Sequence, residues 1–128
     1  MTIKNIVFCE SSQQATLPDG NAITILVNPI VELNPLFVPS AYSFVVSFGA
    51  CEIRETNGFD IILRFLDPQS NQIANSMISA PPVVNRNATC TVDFRNVPIR
   101  EEGIYTLVIE MLGEQVCETI NVRKQEQR

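Results

Sequence analysis

Carboxylates and thiols are the side chains of this chain with reactive chemistry to offer. Fourteen acidic residues stand against nine basic ones, there are four cysteines, and histidine is absent. Without an imidazole, Ser-His, Cys-His and His-ligated metal mechanisms are all removed, which leaves paired carboxylates as the route to general acid and base work. Glu52 with Glu55, or Asp60 with Asp93, are the pairs that could meet across strands. The plainer alternative is that these acids lie on solvated strand faces with Arg54, Arg64 and Arg95 as cross-strand partners, each exposed pair stabilising by under about 1 kcal/mol. Asp67-Pro68-Gln69-Ser70-Asn71 carries side-chain oxygens of the kind calcium takes, but it lacks the alternating acids and central glycine of an EF-hand and reads as a hairpin turn. Cys9, Cys51, Cys90 and Cys117 are widely spaced with no C-x-x-C pair, so they give no zinc or redox signature. Cys90 shares its parity with Val92 and Phe94 and is expected in the core. Cys117 has the opposite parity to Val116 and Ile120, is expected at the surface, and has no histidine to activate it. No catalytic residue, metal ligand or cofactor follows, and the chain is not expected to be an enzyme.

The elements that must position these residues read as strands. Arg100 to Val122 holds a complete hairpin: Tyr105, Leu107, Ile109 and Met111 fall on one side of a period-2 pattern, Leu112-Gly113-Glu114-Gln115 supplies the turn, and Val116, Ile120 and Val122 recur on the return. Lys4–Glu10 is a short first strand followed by a polar stretch, SSQQAT, and Leu17-Pro18-Asp19-Gly20 is a turn ahead of a second strand, Ala22–Asn28. There Ile23, Ile25 and Val27 share one face, which predicts burial on that side and partial cover on the other. Tyr42–Ala50 alternates Phe44, Val46 and Phe48 against Val45, Ser47 and Gly49. Phe59–Leu66 turns Ile61, Leu63 and Phe65 inward, a weaker strand lies around Gln72–Ile78, and Arg86–Val97 sets Cys90, Val92 and Phe94 against a wet face. No window carries capped helical periodicity, so seven or eight short strands in an antiparallel sandwich are expected, with all 128 residues in one domain and 123–128 as a flexible tail.

Bulk composition agrees with a folded domain: 45% hydrophobic and 18% charged residues are enough apolar material, at this length, for a core without staples. The net charge of −5 is spread without blocks, and the lysines are Lys4 and Lys124 alone, too few clustered cations to bind nucleic acid by counterion release. No apolar run approaches the ~18 residues of a membrane span, and the N-terminus lacks the long apolar segment of a signal peptide, so a cytoplasmic protein with reduced thiols is expected.

Glu101-Glu102-Gly103-Ile104-Tyr105 is similar to the corner of immunoglobulin-like domains, where a tyrosine precedes a core strand. That resemblance implies structural roles for Gly103 and Tyr105, the tyrosine burying its ring and returning its hydroxyl to the backbone. Leu107 stands where an antibody-type domain has its second cysteine, and the chain has no tryptophan, so the resemblance is to the sandwich and not to antibody domains. More broadly, IVFCE, LPDGNAITILVNP, YSFVVSFGA, FDIILRFLDPQSNQI and EEGIYTLVIEMLGEQV resemble small uncharacterised bacterial and phage β-sandwich proteins, which implies a fold and no activity.

One segment does not fit a central strand. Pro29–Ala41, PIVELNPLFVPSA, mixes three prolines with six large apolar residues and suits an extended crossing at the edge of the sandwich. Leu36, Phe37 and Val38 are its candidate partner-binding residues, since an apolar strip either covers the sandwich or marks an interaction surface. A protein-interaction or assembly module is therefore expected, acting through a sheet edge or this strip, on a protein partner or on itself as a homo-oligomer. The alternatives are a small hydrolase or carbohydrate-binding sandwich using acidic side chains, and a phage or mobile-element protein that inhibits a host factor by docking on it.

Overall fold

Short runs of alternating side chains dictate extended chain, and the computed structural model of the protein, which describes residues 1–55 and 57–126, has strands and no helix among those residues. In chain order they are β1 (Thr2–Thr16), β2 (Ala22–Ile30), β3 (Glu32–Leu33), β4 (Ser40–Cys51), β5 (Asp60–Leu66), β6 (Gln72–Ser79), β7 (Ala88–Ile99), β8 (Gly103–Met111) and β9 (Glu114–Val122). The addition to the expected seven or eight is β3, two residues inside the Pro29–Ala41 crossing. The strands form a four-stranded sheet, β2-β1-β4-β7, and a five-stranded sheet, β3-β9-β8-β5-β6. Neighbours are antiparallel except β3 and β9, which run parallel.

The inward faces are those the alternation predicts. Ile61, Leu63 and Phe65 of β5, Tyr105, Leu107, Ile109 and Met111 of β8, and Cys90, Val92 and Phe94 of β7 are all buried in one core. Its centre is aromatic: Phe44 stacks on Phe94 of the adjacent strand at 5.2 Å between ring centroids and meets Phe65 of the opposite sheet at 5.1 Å, and Phe65 in turn stacks on Tyr105 at 5.5 Å. Rings from both sheets therefore interlock, which fixes the layers against each other. The Tyr105 hydroxyl donates to the Glu101 carbonyl at 2.7 Å, so the one polar atom of that ring is satisfied inside the corner.

Turn chemistry closes the hairpins. At the β1–β2 turn, Gly20 takes a φ of +89° and its amide donates to the Leu17 carbonyl at 2.9 Å, as the L-P-D-G signal requires. The β8–β9 turn is tighter than the four residues expected. Met111 pairs with Glu114, so Leu112 and Gly113 alone make it, both with positive φ, and Glu114 and Gln115 already belong to β9.

Two expectations fail at the N-terminal strands. The first strand does not end at Glu10: β1 runs unbroken from Thr2 to Thr16, and its polar half, SSQQAT, pairs with β2. Nor is β2 buried on either face; Ile23 and Ile25 are exposed and Leu26 and Val27 only half-buried. The reason lies in the pairing. β1 is laddered to β4 only as far as Cys9, opposite Val45, whereas its ladder with β2 continues to Thr16. Beyond Glu10 the hairpin therefore leaves the sandwich as a two-stranded arm.

The expected tail is tied down over its first part. The Arg123 amide donates to the Leu33 carbonyl at 3.0 Å and the Gln125 amide to the Pro35 carbonyl at 2.8 Å, while residues 127 and 128 lie outside the described residues. No helix among the described residues is long and apolar enough to cross a membrane.

Candidate interaction surface

Asp60 and Asp93 are not brought together, and Glu52 and Glu55 both follow β4 in the loop to β5 instead of facing each other across strands. Asp60 begins β5 in one sheet and Asp93 lies in β7 in the other, so they do not meet across strands, and Asp93 lies 3.5 Å from Arg95 of its own strand. Glu55 accepts from the Asn57 amide at 2.8 Å in the β4–β5 loop. Arg64 does find a cross-strand acid, pairing with Glu110 of β8 at 2.8 Å on the half-exposed outer face. Asp67 spends its carboxylate on the turn, accepting from the amides of Gln69 and Asn71 at 2.9 and 2.8 Å, which is the hairpin role expected for DPQSN. Among the described residues no three His, Cys, Asp or Glu side chains group as a metal site. All four cysteines are free thiols. Cys90 is buried and desolvation pushes its thiol up to about 11, while Cys117 is exposed, both as their strand parity predicts.

The open clefts add little chemistry. One of about 270 Å³ opens where β1 leaves β4, between Glu10, Ser12, Ser43, Asp93 and Arg95. The Glu10 carboxylate there already accepts from Asn28 at 2.7 Å, and Asp93 is beside Arg95. A second, about 510 Å³, lies between the β4–β5 and β6–β7 loops and is mainly apolar, with Ile53, Phe59, Pro81 and Val83 around Glu55 and Arg86.

The Pro29–Ala41 crossing is the feature the structure resolves most informatively. β3 lies beside β9, with Leu33 level with Val122 and fully buried. Glu32 fastens it: its carboxylate accepts from Asn34, Asn121 and Arg123, at 2.9, 2.9 and 3.0 Å. Those amide hydrogen bonds, led by that from Asn34, and the Arg123 charge hold the Glu32 carboxyl below the usual carboxylate range. Pro35 is buried next to the tie from Gln125, and Val38 is half-buried against the core. Between these two anchors Leu36 and Phe37 stand 65% and 67% exposed. Of the three candidate residues, then, two present apolar surface to solvent and the third, Val38, is an anchor. Val31, 95% exposed, projects at the other end of the same crossing.

The arm supplies a second apolar surface that sequence reasoning missed. Ile23, Ile25 and Val27 sit opposite Ala15, Gln13 and Ser11, on the same side of the sheet as Cys9 and Val45, and β2 has no strand beyond it among the described residues. The available signal was the alternating apolar run of β2 facing a partner, SSQQAT, with almost nothing apolar in it: a strand pair with no core to cover.

No family model matches the chain, and no curated protein matches it.

Proposed function

We propose that this protein is a non-enzymatic interaction module of immunoglobulin-like build that binds a protein partner through the surface around Leu36 and Phe37 and through the free edge of β2. The strand order supports the build. β9, β8, β5 and β6 correspond to G, F, C and C′ of such a domain, β4 and β7 to B and E, and the Tyr105 hydroxyl on the Glu101 carbonyl to the tyrosine corner. Relationship to small bacterial and phage sandwich proteins goes with that build. Four free thiols suit a reducing compartment such as the cytoplasm.

The observation that carries the functional reading is the pair Leu36–Phe37, held outward between buried Pro35 and half-buried Val38. Two adjacent large apolar side chains fixed in solvent cost hydration free energy that an occupied surface would recover, and aromatic side chains are enriched in the centres of interfaces. A hydrolase built on carboxylates is less well supported, because Glu10 and Asp93 in the β1–β4 cleft are each already engaged by a neighbouring side chain.

The test is capture of partners from the source cell with the native chain and with Leu36→Ala/Phe37→Ala. The double variant is expected to lose the captured assembly while its stability changes by under about 1 kcal/mol, as exposed positions do. Retention of every assembly by a folded double variant would remove the strip from the function. Val38→Ala is the contrasting substitution, expected to weaken the fold as well because Val38 packs against the core.

A further inference from the structure

The arm makes the partner of one surface specific. β2 is the outermost strand of its sheet, and an outermost strand presents unpaired amides and carbonyls that soluble proteins normally guard with charge, a central proline, a bulge or a covering loop. β2 has none of these over Ala22–Val27; its proline, Pro29, and the positive φ of Asn28 come only at the base. A hairpin standing on two strands is itself marginal in water and gains from a third. Ile25, 42% exposed, sits in the middle of the arm.

Charge permits a second copy at this edge. The chain carries −5, so two copies repel over most of their surfaces, yet residues 20 to 31 contain no Asp, Glu, Lys or Arg. A second copy can approach there without bringing carboxylate against carboxylate; residues 68 to 85, which hold the edge strand β6, are uncharged as well, but β2 is the edge that stands out from the sandwich. It is also self-complementary. Antiparallel pairing about Ile25 sets Ile25 against its own counterpart, Ile23 against Val27 and Thr24 against Leu26, so β-branched side chains meet along one face.

We propose that β2 pairs antiparallel with β2 of a second copy about Ile25, joining two four-stranded sheets into one of eight. The proposal rests on the interaction-module reading and names the partner at the β2 edge. A nine-residue strand is about 30 Å long, and laid along its twin it covers on the order of 300 Å² of each copy, short of the roughly 800 Å² per partner of a standard interface. The dimer is therefore weak and concentration dependent.

Sedimentation velocity of the full chain over a wide concentration range tests it, with circular dichroism to check that variants fold. The native chain is expected to pass from monomer to dimer, and raising salt from about 0.05 to about 0.5 M is expected to tighten the dimer, because screening relieves the net repulsion while the interface has no ion pairs to lose. Ile25→Lys and Ile25→Glu each place like charges opposite across the twofold axis, so each alone is expected to be monomeric at concentrations where the native chain is half dimeric, and their equimolar mixture to recover a heterodimer. A native chain that stays monomeric throughout would overturn β2 self-pairing. So would a dimer indifferent to both substitutions, or a mixture of the two folded variants that fails to associate. None of these results touches capture of a different protein by Leu36 and Phe37, so the broader reading stands or falls separately.

Discussion

Phe44→Ala is expected to destabilise the fold by about 3 to 5 kcal/mol, the cost of emptying an aromatic site in a close-packed core. Its ring is 1% exposed and lies within 5.9 Å, centroid to centroid, of Phe8 on β1, Phe94 on β7 and Phe65 in the facing sheet. Alanine there would remove contacts to both layers at once, and β4, laddered on both sides to β1 and β7, cannot move in to fill the gap. Chemical denaturation of the native and variant chains measures the difference directly. Leu63→Ala and Phe94→Ala belong to the same class, since both side chains are buried in the same core. Losses below about 1 kcal/mol at these sites would mean that the inward faces are wrongly identified.

Gly103→Ala is expected to cost about 2 to 4 kcal/mol through two additive mechanisms, backbone strain and overpacking. Gly103 has φ of +141°, a conformation that side-chain-bearing residues rarely adopt, and a Cβ built on it would lie 2.9 Å from Cγ of Pro68. Pro68 belongs to the β5–β6 turn, which Asp67 fixes by accepting two backbone amides, so that ring has little freedom to retreat. Two residues on is Tyr105, whose hydroxyl closes the corner on Glu101, so loss of stability is expected to come with loss of that corner. Thermal melting of Gly103→Ala beside a surface control such as Gln115→Ala is the measurement. A melting temperature equal to that of the native chain would show that the β7–β8 connection tolerates a side chain and that the glycine has no structural task.

The inward faces of β5, β7 and β8 were legible because burial on one side of a sheet stamps a period of two on the residues. Tyr105, Leu107, Ile109 and Met111 carry that stamp, and each is buried. The same stamp misleads at β2. Ile23, Ile25 and Val27 alternate just as a core strand does, and nothing local distinguishes a face meant for the interior from one left for a third strand. Pairing without burial leaves no apolar period at all, which is why the second half of β1 reads only as a polar stretch after the strand. The separation of Asp60 from Asp93 is not legible in the sequence because sheet membership is not a local property; the chain crosses between sheets from β6 to β7, and the two acids part there. The crossing is the mixed case. Its apolar content was visible, but the sorting of Leu33 and Val38 inward and Leu36 and Phe37 outward depends on Asn34 and Arg123, 89 residues apart in sequence, being held side by side.

Hydrogen exchange followed by mass spectrometry, run on the native chain at low and high concentration, bears most directly on the claim that a rigid sandwich carries an unpaired edge for association. Amides of β4, β5 and β8 are expected to exchange slowly at both concentrations, whereas peptides covering Ala22–Val27 exchange fast when dilute and slow down when the chain is concentrated. Protection of β2 equal to that of β4 in the dilute monomer, or exchange there that ignores concentration while the chain dimerises, would contradict it.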